Sequence, residues 1–196
     1  MKLGRCGFLG TQPLTGTWFR AIRPHFYSSA LAYAHTSTIP GRFNGGTIGR
    51  PAFPVIYLGE DQIVTMFEVT ALLGSTLPGQ SYLPNPANPW TIVNVAVQLS
   101  RIVDLCQDSQ RRVVETTIQE LTGDWRGYAL RHPGRGLSPT QRLGAALCSV
   151  SGVEGFLTYS AKVPTRRNLV VFPTKLRSGS FVRFSDPNTS QVHSIP

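Results

Sequence analysis

The chain has 196 residues, of which 41% are apolar, and this is enough to bury the core of one domain without a disulfide or a metal ion. Its apolar runs are far too short to cross a bilayer, and none of signal-peptide length follows the N-terminus, so we expect a cytoplasmic protein without membrane contact. The 19 glycines and 15 prolines favour turns and strands over a helix bundle.

The net charge is +9 and the sequence pI is about 10.1, which suits nucleic acid, an anionic cofactor or an acidic protein partner. Apart from Lys2, Lys162 and Lys175, all of the 19 basic residues are arginines, whose planar guanidinium groups bind phosphates with two hydrogen bonds. The arginines are spread along the whole chain and form no basic tail or stripe. This dispersal weakens the interpretation as a nucleic-acid-binding module, which stays a remote alternative.

Cysteine and histidine give no sign of a metal site or a disulfide framework. The three cysteines, Cys6, Cys106 and Cys148, are odd in number and far apart. No CxxC or HExxH motif occurs, so neither a structural nor a catalytic zinc ion is expected.

Four segments are predicted before residue 60. Thr17–Arg23 is rich in aromatic and β-branched residues, which predicts a strand, and Val55–Leu58 predicts a short buried strand. Tyr27–Ile39 is ambiguous and can hold a helical turn. Pro40–Pro54 contains several glycines between its bounding prolines, which indicates a loop.

The first predicted helix begins at Asp61, a typical N-cap residue, and runs to about Leu73 with Gly74 as its stop signal. A proline-rich loop follows over Ser75–Pro89. In Thr91–Ser100, apolar and polar residues alternate, which predicts a strand with one buried face.

Two further helices and three further strands are predicted after residue 100. Asp108 is the predicted N-cap of a helix that runs to Leu121. The sequence Ser138-Pro139-Thr140-Gln141 is a capping box with proline at the first helical position, and Gly152 ends the helix that it opens. The remaining strands are predicted at Gly155–Tyr159, at Asn168–Phe172 and near Phe181–Phe184. With about three helices and about six strands, the predicted fold class is α+β.

Glu68 is the only charged residue in the predicted helical segment Gln62–Leu73. Val64, Ala71 and Leu72 lie at helical spacings from it, so its side chain shares a face with apolar residues. Burying a carboxylate costs free energy unless it is paired or hydrogen-bonded. Two interpretations are open: a pocket carboxylate held by an arginine, or a structural ion pair or water-facing position.

Arg42 and Asn44 lie among glycines in the segment Gly41–Gly46, where the backbone can approach a ligand closely. This arrangement suits a phosphate or ribose clamp, and an ordinary glycine-rich loop is the alternative. The segment matches neither a Walker loop nor a GxGxxG fingerprint.

Ser160 directly follows the predicted strand at Gly155–Tyr159. A serine at a strand end can bond a substrate oxygen or orient Glu68, whereas a nucleophilic serine needs an adjacent base, and the sequence shows none. The alternative is an ordinary loop serine.

The order and spacing of these segments resemble the RES domain, a family named for its Arg, Glu and Ser. The segments that carry the resemblance are Trp18-Phe19-Arg20, Gly41-Arg42-Phe43-Asn44, Val55-Ile56-Tyr57-Leu58, Phe67-Glu68 and Gly155–Ala161. The resemblance spans about Thr17 to Phe184, so we expect one RES-like domain over residues 1–196, with its core at about 17–184. The insert Gly45–Pro54 is longer than the family pattern, so the mouth of the pocket is expected to differ.

The resemblance implies a compact α+β fold of the ADP-ribosyltransferase type, with small twisted sheets and about three helices. It also implies a toxin that depletes NAD+ by phosphorolysis or hydrolysis of the nicotinamide–ribose bond, and the alternative is an ADP-ribosyltransferase that modifies a protein. Family members are usually paired with a helix-turn-helix antitoxin. An acidic segment of such a partner is therefore expected near the pocket, and nucleic acid only through that partner.

The resemblance further implies roles for six residues. Arg20 and Arg42 suit the phosphates of NAD+, and Glu68 suits the ribose hydroxyls and the positive charge that develops as the bond breaks. The other implied roles are stacking or hydrogen bonding for Tyr57, positioning of the glutamate or of the nicotinamide amide for Ser160, and ligand contact for Asn44. Glu68, Arg42 and Ser160 are the expected catalytic residues. NAD+ is expected as the substrate, with no metal and no further cofactor.

Overall fold

The structure, a computed structural model, describes residues 1–45, 52–87, 89–132 and 136–196. The strands in these ranges are β1 Thr11–Ile22, β2 Ile56–Gly59, β3 Leu72–Gly74, β4 Tyr82–Pro84, β5 Thr91–Asp104, β6 Gly155–Tyr159, β7 Arg167–Val171, β8 Phe181–Ser185 and β9 Val192–Ile195. The α-helices are α1 Gln62–Glu68, α2 Asp108–Val114, α3 Ile118–Thr122, α4 Trp125–Arg131 and α5 Pro139–Ser149. Short 3-10 helices cover Leu3–Phe8, Pro24–Ser29, Ala34–Ser37 and Pro173–Lys175.

Seven strands form one sheet in the order β1-β2-β7-β6-β5-β8-β9. β1 also pairs with β5, from Ile22 opposite Thr91 to Thr11 opposite Val103. Strands β1, β2, β7, β6 and β5 therefore close into a ring of pairings, and β8 and β9 extend from β5. β5 and β6 run parallel, and the other pairs run antiparallel. β3 and β4 form a separate hairpin.

Alternation along β5 determines which of its residues enter the core. The buried residues of its first half alternate with exposed ones, as the sequence predicts: Val93, Val95, Val97 and Leu99. The strand continues to Asp104, and there Ile102 and Val103 are both buried. Both faces are covered in this part, because Ile102 packs in one apolar cluster and Val103, on the opposite face, packs in another.

The predicted capping box begins α5. Ser138 Oγ accepts a hydrogen bond from the Gln141 N–H at 3.3 Å, and Gln141 Oε1 accepts one from the Ser138 N–H at 3.0 Å. Leu143 and Leu147 of this helix are fully buried in a cluster that includes Phe156 of β6. The capping box therefore fixes a helix that covers one side of the sheet.

α1 begins as predicted and ends early. Asp61 is its N-cap, because Asp61 Oδ1 accepts a hydrogen bond from the Val64 N–H at 2.8 Å. The helix ends at Glu68, whereas the sequence predicts an end at about Leu73. Glu68 thereby lies in the last turn of a short helix instead of its middle.

The early end of α1 comes from a turn that uses no glycine. Thr70 is left-handed, with φ 58°, and its N–H donates to Phe67 O at 3.0 Å. The Ala71 N–H donates to Met66 O at 2.8 Å, and the two bonds together form a Schellman motif. A threonine rarely takes this conformation, so the sequence pattern does not reveal the end of the helix. Leu72–Gly74 then form β3.

The prediction of about three helices is wrong, because the described residues form five α-helices. The single helix predicted from Asp108 to Leu121 is divided at Glu115, which is left-handed with φ 51°, and Thr117 begins α3 with its own capping box. The sequence pattern also does not reveal α4, the β3–β4 hairpin and β9, all of which are short. The predicted α+β class is confirmed. None of the helices in the described ranges is long and apolar enough to cross a membrane.

Candidate active site

Residues of β1, β2, β7, α1, α4 and the loop at Gly41 line a cavity of about 340 Å³. This volume is typical of ligand pockets, which span roughly 300–1,000 Å³. Among the described residues that line it, Glu68 is the acidic one, and the basic ones are Arg20, Arg42, Arg126 and Lys162. This excess of positive charge favours an anionic ligand. Within the described ranges, no three His, Cys, Asp or Glu side chains are grouped to hold a metal ion.

One oxygen of the Glu68 carboxylate is held by three donors. Oε1 accepts hydrogen bonds from Ser160 Oγ at 2.5 Å, from the Ala161 N–H at 3.2 Å and from Asn168 Nδ2 at 2.8 Å. Oε2 accepts no hydrogen bond from the part of the chain that the structure describes. The three donors fix the orientation of the carboxylate and leave its second oxygen for a ligand.

Ser160 lies behind Glu68 and does not line the cavity. Its side chain is fully buried, and its hydroxyl donates to Glu68 and accepts from the Lys162 N–H at 3.1 Å and the Val163 N–H at 2.9 Å. The proton and both lone pairs of the hydroxyl are therefore used within the protein. This arrangement suits a residue that positions Glu68, and it suits neither a nucleophile nor a contact with the nicotinamide amide.

No arginine in the described part of the chain holds the Glu68 carboxylate, contrary to one of the two interpretations of the sequence. No arginine of the described chain lies within 4.0 Å of Glu68 as an ion-pair partner. Burial lowers the pKa of Arg42, and the negative charge of Glu68 opposes that shift. Arg42 and Glu68 therefore interact electrostatically without forming an ion pair. The hydrogen bonds to the carboxylate come instead from neutral donors, among them Ser160 and Asn168.

Tyr57 presents its ring to the cavity and its hydroxyl to the protein. The hydroxyl donates to Asn44 Oδ1 at 2.7 Å and accepts from the Phe43 N–H at 3.0 Å. Burial raises the pKa of the Tyr57 phenol, so it stays protonated. Asn44 is 1% exposed, and its Nδ2 donates to Thr36 O at 2.7 Å. Asn44 therefore lies behind Tyr57 and holds it, although the family resemblance implies that it contacts the ligand.

Close packing explains the glycine at position 41. A Cβ added to Gly41 would lie 2.8 Å from the Tyr57 hydroxyl and closer still to Asn44 Oδ1. Gln141 Nε2 donates to Gly41 O at 3.0 Å, so the capping box of α5 also anchors this loop. The loop that carries Arg42 is therefore tied both to β2 and to α5.

Arg20 is a buried cation that makes one hydrogen bond. It is 8% exposed, Nη2 donates to Ala32 O at 2.8 Å, and Nη1 has no partner among the described residues. Burial lowers the pKa of Arg20 to about 10, so it remains charged at neutral pH. Burial and the charge of Arg20 also lower the pKa of His35, which lines the same cavity and stays neutral. A buried arginine without a carboxylate partner is suited to an anion supplied by a ligand.

A sequence model of the RES domain matches residues 17–188. The chain belongs to the RES domain family. A chain in the crystal structure of the M. tuberculosis MbcT–MbcA toxin–antitoxin complex is similar to it, with a TM-score of 0.61 and 19% sequence identity over 98% of this chain and 90% of that chain. This likeness shows a shared fold. The search of curated protein sequences found no match.

The RES domain brings the six predicted site residues together in two layers. Those that line the cavity are Arg20, Arg42, Tyr57 and Glu68. The other two, Ser160 and Asn44, are buried behind the wall and hold Glu68 and Tyr57. Their chemical roles stay predictions. Residues 46–51 of the predicted insert lie outside the part of the RES domain that the structure describes.

Several further lining residues of the RES domain were not predicted as site residues, among them Asn168, which holds Glu68, and Trp90, Trp125 and Arg126. Trp125 and Arg126 are adjacent in the sequence, and the guanidinium carbon of Arg126 lies 4.7 Å from the Trp125 ring centroid, so this aromatic–basic pair could have been noticed. The guanidinium carbon of Arg23 lies 4.2 Å from the Trp90 ring centroid. That second contact depends on the pairing of β1 with β5 and leaves no local signal.

Proposed function

We propose that this RES domain is a toxin that consumes NAD+ by breaking the bond between nicotinamide and ribose. The observation that carries the proposal is the Glu68 carboxylate, with one oxygen fixed by three donors and the other left to the ligand, in a cavity whose other charged residues are basic. Membership of the RES family supports the same function, as does a similar fold in a toxin–antitoxin complex.

NAD+ suits this cavity because it is anionic at its pyrophosphate and cationic at its nicotinamide. When the bond between C1′ and the pyridine nitrogen breaks, the electron pair stays with the nitrogen, nicotinamide leaves uncharged, and positive charge develops on the ribose. A fixed carboxylate beside that ribose stabilises this charge without having to reorient. A water that then bonds to C1′ loses one proton to solvent, whereas a phosphate dianion bonds through an oxygen that carries no proton.

The proposed phosphate ligands are Arg20, which is buried, and Arg42, which is half-buried. Arg42 interacts electrostatically with Glu68, so we place it on the phosphate nearer the reacting ribose. Arg20 lies on β1 and is free to bind the pyrophosphate through Nη1. The hydroxyl of Tyr57 is already bonded to Asn44, so Tyr57 contributes its ring, against the nicotinamide or the ribose.

A protein partner with an acidic segment completes the proposal. The chain carries a net charge of +9, and basic residues dominate the charged lining of the cavity. An acidic segment seated at this cavity would neutralise it and exclude NAD+. The similar fold occurs in a toxin–antitoxin complex, which supports an antitoxin as that partner.

Nicotinamide release from NAD+ by the purified protein, with and without phosphate, tests the proposed reaction. We expect release by the wild type and release slower by a factor of about 100 or more in Glu68→Gln, because the amide keeps the shape of the side chain and lacks its charge. A rate that rises with phosphate indicates phosphorolysis, and a rate independent of phosphate indicates hydrolysis.

Glu115→Gln is the matched control for this experiment. Glu115 pairs with Lys2 and Arg5 at the surface, so its substitution should leave nicotinamide release unchanged. Undiminished release by a folded Glu68→Gln protein, or no release by the folded wild type, would reject the proposal. Transfer of label from NAD+ to a protein in cell extract would identify an ADP-ribosyltransferase instead.

A further inference from the structure

Two buried donors in the cavity wall have no acceptor. In the described part of the chain, three buried side-chain polar atoms lack a hydrogen-bond partner, namely Arg20 Nη1, Trp90 Nε1 and Thr158 Oγ1. The first two belong to residues that line the cavity. A buried tryptophan N–H usually finds an acceptor, and a buried donor without one costs free energy. Two such donors in one wall indicate that a ligand supplies the acceptors.

The indole of Trp90 is held in place although its N–H is unpaired. The guanidinium carbon of Arg23 lies 4.2 Å from the ring centroid, and Arg23 Nη1 donates to Pro89 O at 3.2 Å. Trp90 directly precedes β5, and Arg20 of β1 lies opposite Val93 of that strand. The pairing of β1 with β5 therefore brings both residues to the lining of the same cavity.

We propose that Trp90 is a specificity-determining residue whose indole N–H donates to the pyrophosphate that Arg20 also binds. This inference rests on the proposed function, in which the ligand is NAD+. Pyrophosphate is the anionic part of NAD+ and offers several acceptor oxygens, so a cation and a neutral N–H can share it. A nucleoside without phosphate would leave both donors unpaired. The pair therefore selects nucleotides over nucleosides.

Two substitutions isolate the N–H of Trp90. Trp90→Phe removes it, whereas Trp90→His keeps a ring N–H, because imidazole Nε2 takes about the place of indole Nε1. Imidazole is smaller and less apolar than phenyl, so any affinity that Trp90→His regains is regained in spite of a larger packing loss. Calorimetry at about pH 8, where imidazole is neutral, measures the binding of inorganic pyrophosphate and of ADP-ribose. We expect Trp90→Phe to bind both about tenfold more weakly than the wild type, and Trp90→His to regain most of that loss.

Thermal unfolding of the free variants separates binding from folding. The N–H has no acceptor in the free protein, so Trp90→Phe should unfold at a temperature no lower than that of Trp90→His, whose imidazole is the less apolar side chain. Equal pyrophosphate affinity in the two variants overturns the proposal. A markedly lower unfolding temperature for Trp90→Phe alone also overturns it, because the N–H would then be bonded within the fold.

Nicotinamide release by the wild type distinguishes this inference from the proposed function. If no nicotinamide is released and Trp90→His still binds pyrophosphate more tightly than Trp90→Phe, the NAD+ reaction fails and the role of Trp90 stands. If nicotinamide is released and the two variants bind pyrophosphate equally, the reaction stands and the role of Trp90 fails.

Discussion

Two charges of the cavity wall on which ligand binding depends, the half-buried Glu68 and the buried Arg20, have opposite arrangements of hydrogen-bond partners. The Glu68 carboxylate receives three hydrogen bonds on one oxygen from neutral donors of the protein. The Arg20 guanidinium makes one hydrogen bond, to Ala32 O, and leaves Nη1 unpaired in the described structure. The first charge is oriented before any ligand arrives, whereas the second gains its partner from the ligand. We therefore expect Glu68 to contribute mainly to the rate of the reaction, and Arg20 to contribute mainly to the affinity for the ligand.

The difference follows from the strands that carry the partners. Asn168 lies on β7, which is paired with β6, and Ser160 follows β6 directly. The Ser160 N–H donates to Arg166 O at 2.8 Å, so the pairing of these strands sets the two donors side by side under Glu68. Among the described residues Arg20 has no equivalent support, because the acceptor of its one hydrogen bond is Ala32 O, in a loop.

Arg20→Met should have the largest effect of the substitutions that test this comparison, and the effect should fall on ligand affinity. We expect ADP-ribose binding to fall on the order of a hundredfold, because a buried charge that pairs with the ligand is lost. The stability of the free protein should change by less than about 1 kcal/mol, since removing an unpaired buried charge offsets the lost bond to Ala32 O. Calorimetry with ADP-ribose and thermal unfolding with and without it measure both quantities.

Arg111→Met is the control, because Arg111 is a buried arginine whose partners all lie within the protein. Its Nη1 donates to Leu105 O at 3.0 Å and to Cys106 O at 2.6 Å, and it pairs with Asp108. This variant should lose stability and keep its affinity for ADP-ribose per folded molecule. The same outcome for Arg20→Met would contradict the assignment of Arg20 to the ligand.

Ser160→Ala should have a smaller effect than Arg20→Met. It tests whether the orientation of the Glu68 carboxylate affects the reaction rate separately from ligand binding. The variant removes one donor from Glu68 and the acceptor of two backbone N–H groups. We expect the kcat of nicotinamide release to fall by about 10- to 100-fold with little change in KM, since the carboxylate is less well held and the phosphate ligands are intact. The free protein should lose about 1–3 kcal/mol of stability. Steady-state kinetics and urea unfolding measure the two effects.

Thr117→Ala controls for the loss of stability in that experiment. Thr117 caps α3 and accepts from the Glu120 N–H at 3.1 Å, away from the cavity. It should cost about 1 kcal/mol and leave kcat unchanged. If Ser160→Ala raises KM and leaves kcat unchanged, Ser160 does not orient the reacting carboxylate.

Local signals predicted the parts of the fold that depend on a few neighbouring residues. Asp61 and Ser138 cap helices as expected, because an N-cap bond reaches only three residues along the chain. The ends of α1 and α2 were missed, because each relies on a non-glycine residue in the left-handed region, Thr70 after α1 and Glu115 after α2. Such conformations are set by the surrounding packing and carry no distinct sequence signal.

The sequence predicted which residues belong to the candidate site, but it did not predict the contacts between them. The family resemblance identified Glu68, Ser160 and Asn44, but their contacts depend on strands far apart in the sequence. Asn44 was expected at the ligand because an amide among glycines suits a clamp, and it bonds Tyr57 instead. The unpaired N–H of Trp90 could not be foreseen, since only the folded chain shows which donors lack acceptors.

Glu154 is a second carboxylate of the fold whose hydrogen bonds can be compared with those of Glu68. It is fully buried, and both of its oxygens are used, with Oε2 accepting from the Ser100 N–H at 2.7 Å and Oε1 from the Arg177 N–H at 2.7 Å. A buried carboxylate whose oxygens are both bonded within the fold is structural, because no acceptor remains for a ligand. Glu68 differs from Glu154 because it is half-buried, lines the cavity and has one oxygen, Oε2, without a donor in the described structure.

Glu154→Gln should therefore affect the pH dependence of stability and not the reaction. Burial raises the pKa of Glu154, but the hydrogen bonds from Ser180, Arg177, Arg101 and Ser100 outweigh it and lower the pKa below the ordinary 4.5. The unfolded chain then binds more protons than the native one, so the stabilisation is present above about pH 4.5 and is lost as the pH falls through the native pKa. The variant should unfold at lower temperature at pH 7 and show a flatter decline between about pH 5 and pH 3. Nicotinamide release per folded molecule at pH 7 should stay at the wild-type rate, and a large loss there would remove the distinction between the two carboxylates.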